Sequence, residues 1–248
     1  ATNQQKKLEA HISWTIAIVL SIIHWIFAVW SSTFNATTFD EVAHIAGGLG
    51  QVLYSDYRLN PENGVLPQMV SAAVMNAGGV KFPSVSDSNT PEGISWLFSD
   101  AWELGYRTLY QEGNDPKKVL LLGRSATALS GMLTVLLVHG VARQVHSSSV
   151  FGSLVPTALC AFCPTMLAHG ALITSDGWFA FFMNLAPVCV HWMLEQSGWR
   201  APSSLAREAA ASVWCGLVAG VAVGCAGVAK HSGVLVAPMA LLLLAVHL

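Results

Sequence analysis

The chain has 248 residues, of which 53% are hydrophobic and 10% are charged, and its formal net charge is −2. Soluble domains carry about 25% charged residues, so this composition excludes an ordinary soluble protein and indicates one that spans a lipid bilayer. The nearly balanced charge also gives no sign of a nucleic-acid-binding surface, which would require an excess of basic residues.

Six apolar stretches are long enough to be membrane spans, since about 20 residues are needed to cross a bilayer as a helix. They are His11–Ser32, Val119–Val141, Val150–Leu167, Ala171–Leu194, Ala211–Ala229 and a last stretch from Gly233 to Leu248. The predicted fold class is therefore all-α, a polytopic helical membrane protein with about six spans. The last stretch is still apolar at Leu248, so we expect the protein to be truncated here and to continue beyond this residue.

The orientation of the spans follows from the basic residues at their ends. Lys6 and Lys7 precede the first span, and the positive-inside rule places such residues in the cytoplasm. Residues 1–32 then form a cytoplasmic N-terminus and the first span, and residues 33–117 form a long loop at the outer face. Residues 118–248 contain the five further spans, whose predicted cytoplasmic loops carry Arg143, Arg200 and Arg207.

The long outer loop contains three stretches that favour short amphipathic helices at the membrane surface. Phe39–Tyr54 has an apolar stripe at helical spacing, which predicts a helix that lies along the interface. Val65–Val80 and residues 96–110 are interpreted in the same way. If Val65–Val80 crossed the membrane instead, the orientation of every later span would be reversed.

Polar residues interrupt this apolar chain in three clusters. The clusters are Asp40-Glu41-x-x-His44, the segment from His169 to Asp176, and Lys230-His231-Ser232. With the topology above, all three lie at the outer face. Ionisable residues at membrane depth are costly and therefore indicate function, so we expect the clusters to form one site.

Each cluster also has a simpler interpretation. Asp40 stands where the N-cap of a helix would stand, and so do Ser175 and Asp176 before the fourth span. Lys230 could extend its ammonium group from a helix end towards water without any further role.

Asp40 and Glu41 are adjacent in the chain, so on a helix their side chains point about 100° apart and cannot both face one atom. Asp40 is the candidate for chemistry, and Glu41 is the candidate for holding the helix or a partner residue. His44 lies one turn further along, and the pair Asp40 and His44 could bind a divalent cation. A third ligand at fixed spacing is missing, so we predict no metal site.

The segment Tyr57–Gly64 follows the first predicted surface helix. Pro61 restricts Asn60 to an extended or turn conformation, and Asn63-Gly64 is a strong turn signal. Arg58 is therefore either a surface residue of a loop or a guanidinium clamp for a phosphate group.

These segments together resemble the lipid-linked sugar transferases of the GT-C superfamily. The resemblance is to protein O-mannosyltransferases and the aminoarabinose transferase of lipid A, which are glycosyltransferase family 39-like proteins. Four segments carry it: Phe39–Gly48 with its Asp-Glu pair, Asp56–Pro67, His169–Asp176 and Ala229–Gly233. One departure is that Asn63-Gly64-Val65-Leu66 stands where many relatives have a Pro-Pro-Leu run.

The resemblance implies a reaction in which a sugar moves from polyprenyl or dolichyl phosphate to a hydroxyl of a protein or glycolipid, at the outer face and with inversion. It implies that Asp40 is the general base and that Asp176 orients the acceptor or the sugar, while Glu41 completes the catalytic set. Arg58 and Lys230 would stabilise the departing lipid phosphate. The other implied substrate-binding residues are His44, Asn60, Glu62, His169 and His231. The lipid-linked sugar is a substrate, and no cofactor beyond a possible divalent cation is implied.

Two other functions remain open from the sequence. The chain could be a non-catalytic subunit that descends from such an enzyme and joins other membrane subunits, or a transporter or proton channel. The polar residues cluster at span ends and not deep within several spans, which argues against the transporter. We expect an integral protein of the bacterial inner membrane whose site faces the periplasm, with the endoplasmic reticulum as the alternative.

Overall fold

The computed structural model describes residues 3–146, 150–196 and 205–247. Within these ranges the chain is helical and has no strand, which confirms the all-α prediction. The helices are α1 (Asn3–Ser32), α2 (Phe39–Tyr54), α3 (Val65–Ala77), α4 (Pro91–Leu97), α5 (Ala101–Tyr110), α6 (Pro116–Val145), α7 (Val150–Ala161), α8 (Pro164–His169), α9 (Asp176–Gln196), α10 (Leu205–Ala229) and α11 (Val236–His247), and a 3-10 turn at His231–Leu235 separates the last two.

Three helical stretches in the described ranges are long and apolar enough to cross a membrane: Gln4–Ser32, Pro116–Val145 and Asp176–Glu195. The chain is therefore an integral membrane protein. Four shorter apolar helices are Val65–Ala77, Val150–Ala161, Val213–Ala229 and His231–Val246. The first of these would measure only about 20 Å, against a hydrocarbon core of about 30 Å. This length favours the interpretation of α3 as a helix that does not cross.

Two predicted segments are each divided into two helices. The predicted span Val150–Leu167 is wrong as one continuous helix, because α7 ends at Ala161 and α8 begins at Pro164. Proline has no backbone N–H to continue a helix but fits its first turn. Residues 96–110 also break, because Ser99 adopts a positive φ of 59° and the Asp100 side chain then caps α5 by accepting from the Glu103 N–H at 3.0 Å.

Helices α1 and α6 run antiparallel, because the residues that touch follow opposite orders along the two helices. Ser13 Oγ lies 3.0 Å from His139 Nε2, and the Trp25 ring N–H donates to the Ser125 carbonyl at 2.9 Å. Residues 33–115 connect the C-terminal end of α1 to the N-terminal end of α6. We call this end of the helix pair the loop end.

Helix α2 is the central helix of residues 33–115 and packs between α3 and α5. Its residues from Ala43 to Gln51 are all buried, whereas the sequence predicted a surface helix with one apolar stripe. The difference arises from glycine outside the stripe. A Cβ at Gly48 would lie 2.4 Å from the Gln68 carbonyl oxygen, so only glycine allows α3 to pack this closely.

A buried ion pair joins α2 to α6 at the loop end. Arg124 is 2% exposed and Glu41 is fully buried. Arg124 Nε donates to Glu41 Oε1 at 2.8 Å, and its NH2 group donates to Oε2 at 2.7 Å. The remaining guanidinium N–H groups donate to the carbonyls that follow α1, at Ser32, Asn35 and Ala36. All five N–H groups of the guanidinium are thus bonded.

Glu41 also accepts hydrogen bonds from two further parts of the chain. The Thr38 N–H donates to Oε2 at 2.9 Å, just before α2 begins. The Ile173 N–H donates to Oε1 at 3.0 Å, in the turn before α9. One carboxylate therefore fixes the positions of α2, α6 and the turn before α9 relative to each other.

We predict that Arg124→Met destabilises the protein by about 3–5 kcal/mol, because it leaves the Glu41 carboxylate buried without its cation. Thermal unfolding in detergent measures this change. Arg58→Met is the matched control, since Arg58 pairs with Asp56 at an exposed site, where ion pairs contribute little to stability. Equal melting temperatures for the two variants would contradict the central role of the buried pair.

Stability should also depend on pH through Glu41. Burial raises its pKa, but hydrogen bonds from Arg124 and from the backbone of Ile173 and Thr38 lower it more, so the pKa lies below the ordinary 4.5. A carboxylate with a lowered pKa stabilises the fold above its unfolded pKa, and this contribution is lost as pH falls through the folded value. The stability difference between wild type and Glu41→Gln should therefore be constant above about pH 5 and shrink below it. A difference that grows on acidification would contradict this assignment.

Candidate active site

The Asp-Glu pair at the start of α2 is divided between surface and interior. Thr38 is the N-cap of α2, so the interpretation of Asp40 as the N-cap is wrong. Asp40 lies in the first turn with an exposed side chain, while its neighbour Glu41 points into the buried ion pair. The arrangement leaves the Asp40 carboxylate at the surface and makes Glu41 a residue that positions the helix.

His44 lies one turn after Asp40 on α2 and is buried, with 3% of its surface exposed. Burial lowers the pKa of His44 below the ordinary 6.5, although the nearby carboxylates act to raise it. The four carboxylates close enough to do so are those of Asp40, Asp176, Glu41 and Glu62. Burial therefore favours the neutral form of His44, which lies at the centre of an acidic group.

Asp176 and Lys230 form an ion pair between α9 and the end of α10. Lys230 Nζ lies 2.5 Å from Asp176 Oδ1. Helix α9 begins at Asp176, so Ser175 precedes the helix. The lysine side chain is 35% exposed and the aspartate 65% exposed, so the pair is accessible. Lys230 therefore pairs with a specific carboxylate, which argues against the interpretation that its ammonium group only extends into water.

The chain after α2 folds back along that helix towards His44. Leu59 packs against Gly50, and the side chain of Asn60 packs against Gly47. This path brings Glu62 within electrostatic range of His44. Asn60 itself is buried, and its Oδ1 accepts a hydrogen bond from the Asn63 side chain within the loop.

The same loop also touches the end of α10. The Glu62 carbonyl lies 2.9 Å from His231 Nδ1. Gly64 packs so closely on the Ala229 carbonyl that a Cβ there would lie 1.8 Å from the oxygen. The loop thereby connects α2 to the segment that carries Lys230.

Six of the ten candidate residues come together at the loop end through these contacts. We call this group the polar site; it consists of Asp40, His44, Glu62, Asp176, Lys230 and His231. Glu41 helps to position the group, because its carboxylate accepts a hydrogen bond from the Ile173 N–H in the turn that leads to Asp176.

Arg58 and His169 have other surroundings. The Arg58 guanidinium donates to both carboxylate oxygens of Asp56 and lies 5.9 Å from the centre of the Trp96 ring. Hydrogen bonds from Arg58 lower the pKa of Asp56. His169 ends α8 with an exposed side chain. The phosphate clamp at Arg58 and the substrate contact at His169 stay predictions.

No three His, Cys, Asp or Glu side chains in the described part of the chain are arranged to hold a metal ion. Asp40 and His44, the pair considered from the sequence, thus have no third such ligand there. That this pair holds no metal ion stays a prediction.

Two important residues escaped the sequence analysis. Arg124 is a charged residue inside the apolar stretch Val119–Val141, and this position alone could have indicated a buried partner. Its pairing with Glu41, 83 residues earlier in the chain, has no local signal. Gln68 is a buried amide in α3, and no pattern in the sequence distinguishes it from a surface glutamine.

Comparison with known proteins gave one match. The family model of the dolichyl-phosphate-mannose-protein mannosyltransferases matches residues 96–248, which is more than half of the chain. No curated protein and no solved structure matched the chain.

The matched region contains Arg124, Asp176 and Lys230, whereas Asp40 and His44 lie before it. The contacts of Glu41 with Arg124 and Ile173 join these two parts of the polar site. The family match favours the glycosyltransferase over the transporter and the non-catalytic subunit. The chain therefore belongs to the dolichyl-phosphate-mannose-protein mannosyltransferase family and is a lipid-phosphate-sugar-dependent glycosyltransferase.

Proposed function

We propose that this protein transfers mannose from dolichyl phosphate, or a similar polyprenyl phosphate, to a hydroxyl group of a protein at the outer membrane face. One observation carries the proposal: the exposed Asp40 carboxylate and the Lys230–Asp176 pair occur together at the loop end. A base for the acceptor and a cation for the departing phosphate are the two groups that this reaction needs.

In the proposed reaction Asp40 accepts the proton of the acceptor hydroxyl. The acceptor oxygen forms a bond to the anomeric carbon of the sugar, and the bond from that carbon to the phosphate oxygen breaks. The phosphate leaves with the bonding electron pair, and its growing negative charge is stabilised by the Lys230 ammonium group. Attack from the side opposite the phosphate gives inversion at the anomeric carbon.

The surroundings of Asp40 support this role. Its helix is fixed by the buried ion pair of its neighbour Glu41, so the carboxylate is carried on a rigid element, which catalysis requires. No hydrogen bond from the described residues reaches the Asp40 carboxylate, so it is available to a substrate. The His44 ring, one turn away, can donate a hydrogen bond to a sugar hydroxyl or accept one from it.

The position at the loop end supports the choice of substrates. A lipid-linked donor has a long apolar chain and a charged head, so its reacting carbon lies at the boundary between bilayer and water. The acceptor arrives from water. Lys6 and Lys7, which lie near the opposite end of α1, support an outer location of the loop end by the positive-inside rule.

We predict that Asp40→Asn lowers the rate of sugar transfer by about 10²–10⁴-fold, because the amide cannot accept the proton. The assay is transfer of labelled mannose from dolichyl-phosphate mannose to a Ser/Thr-containing peptide in detergent. Asp87→Asn is the matched control, since Asp87 is an exposed carboxylate in the loop before α4. An Asp40→Asn protein that folds and retains full activity would overturn the assignment of the base.

A second prediction concerns the Lys230–Asp176 pair. Asp176 partly neutralises the ammonium group that is proposed to bind the donor phosphate. Asp176→Asn should therefore lower the KM for the donor by up to about fivefold, the range expected for a partly exposed pair. It should also lower kcat, because Asp176 no longer orients a substrate.

Lys230→Met provides the contrast in the same assay. It should raise the KM for the donor and lower kcat together, since both the bound and the departing phosphate lose their cation. If Asp176→Asn and Lys230→Met change the donor KM in the same direction, the proposed competition between Asp176 and the phosphate is wrong.

A further inference from the structure

The buried side chain of Gln68 organises the loop that follows α2. Its Nε2 group lies 3.3 Å from the Asn60 carbonyl, and 3.1 Å from each of the Asn63 and Gly64 carbonyls. Because all three partners are acceptors, the amide nitrogen and not the oxygen must face them. One side chain thus holds both ends of the loop 60–64.

The opposite side of the Gln68 amide packs against α2. A Cβ at Gly47 would lie 2.1 Å from Gln68 Oε1 and 2.9 Å from the Asn60 Cβ. Glycine at this position therefore creates the space in which the amide fits, and Gln68 is fully buried there. The loop is fixed from the inside by α2 and α3.

The outer side of the same loop sets the position of Lys230. The loop touches the residue before it, where Gly64 packs on the Ala229 carbonyl, and the residue after it, where His231 Nδ1 contacts the Glu62 carbonyl at 2.9 Å. Lys230 has an extended backbone between α10 and the 3-10 turn, so these two contacts determine where its side chain begins.

We propose that Gln68 is a positioning residue for Lys230, and that it acts through the loop 60–64. The inference rests on the proposed function, in which Lys230 binds the phosphate of the lipid-linked sugar. Gln68 itself touches no substrate. Its loss would let the loop and the end of α10 separate, and the Lys230 ammonium group would leave the place where the phosphate binds.

The proposal predicts an effect on one substrate only. Asp40, which faces the acceptor, is held by the contacts of Glu41 with Arg124 and Ile173, and Gln68 takes no part in those bonds. A disturbance at Gln68 should therefore affect the donor and spare the acceptor.

The kinetic test uses Gln68→Met, which keeps the size of the side chain and removes the donor group. We expect the KM for dolichyl-phosphate mannose to rise about tenfold, the effect of one lost buried hydrogen-bonding group, with the KM for the acceptor peptide nearly unchanged. Ser71→Ala is the matched control, because Ser71 lies one turn further along α3, is equally buried, and bonds Pro67 and Thr127 without touching the loop. It should change neither KM.

A second measurement does not depend on activity. Glu62→Cys and Ser232→Cys place two thiols at exposed positions on the two sides of the contact and leave the Glu62 carbonyl and His231 in place. In a background without the native cysteines, the rate of cross-linking by a short thiol-reactive reagent reports how closely the loop and the end of α10 stay together. Gln68→Met should lower this rate about tenfold, and Ser71→Ala should leave it unchanged.

Unchanged cross-linking in Gln68→Met would overturn the inference, whatever the activity. Reduced cross-linking with equal changes in both KM values would show that Gln68 is structural only, which also overturns it. If the wild type shows no transfer from any lipid-phosphate sugar, the proposed function fails, and the cross-linking still decides whether Gln68 holds the loop. If Gln68→Met does not accumulate as folded protein, Gln68→Asn, which keeps the amide on a shorter side chain, takes its place with the same expectations.

Discussion

The buried pair of Glu41 and Arg124 determines how the rest of the molecule is arranged. Removing two charges from water costs several kcal/mol for each ion, and the cost is offset only when every polar atom finds a partner. Here the guanidinium uses all five N–H groups, and the carboxylate accepts bonds from Arg124, Thr38 and Ile173. Arg124 lies on α6, Ile173 lies in the turn before α9, and the carbonyls bonded by Arg124 lie at the end of α1. The need to satisfy one ion pair therefore fixes these three segments relative to α2.

The same constraint explains why Glu41 is buried while its neighbour Asp40 is exposed. Side chains of consecutive helical residues point about 100° apart, so Asp40 cannot follow Glu41 into the ion pair, and its side chain is exposed. The buried acid is held ionised by its bonds, and the exposed acid is carried on a helix that cannot rotate without breaking the pair. The proposed general base would gain from this arrangement, because catalysis depends on holding it in one place relative to the substrate.

The sequence predicted those features that depend on local pattern. Apolar length predicted α1, α6 and α9, and the helical spacing of apolar residues predicted α2 with its observed bounds. The pairing of Arg124 with Glu41 could not be predicted, because it joins positions 83 residues apart and has no periodic signal. The burial of α2 on both sides was also missed, since the apolar stripe shows one face only and the other face is made by Gly47, Gly48 and the residues that pack on them. Pro164 was a signal for the break at Phe162-Cys163, but the continuous apolar run around it favoured a single helix.

The position of the polar site follows from where each constraint can be met. A buried guanidinium needs an acceptor for each N–H group. Free backbone carbonyls occur where helices end, as they do at the end of α1 at Ser32, Asn35 and Ala36. The ends of α1, α6 and α9 meet at the loop end, so the pair forms there and brings Asp40 and Asp176 with it. A lipid-linked donor and a water-borne acceptor can meet at the same boundary between bilayer and water. The hydrogen bonds that stabilise the ion pair and the reaction proposed for the polar site therefore both require the loop end.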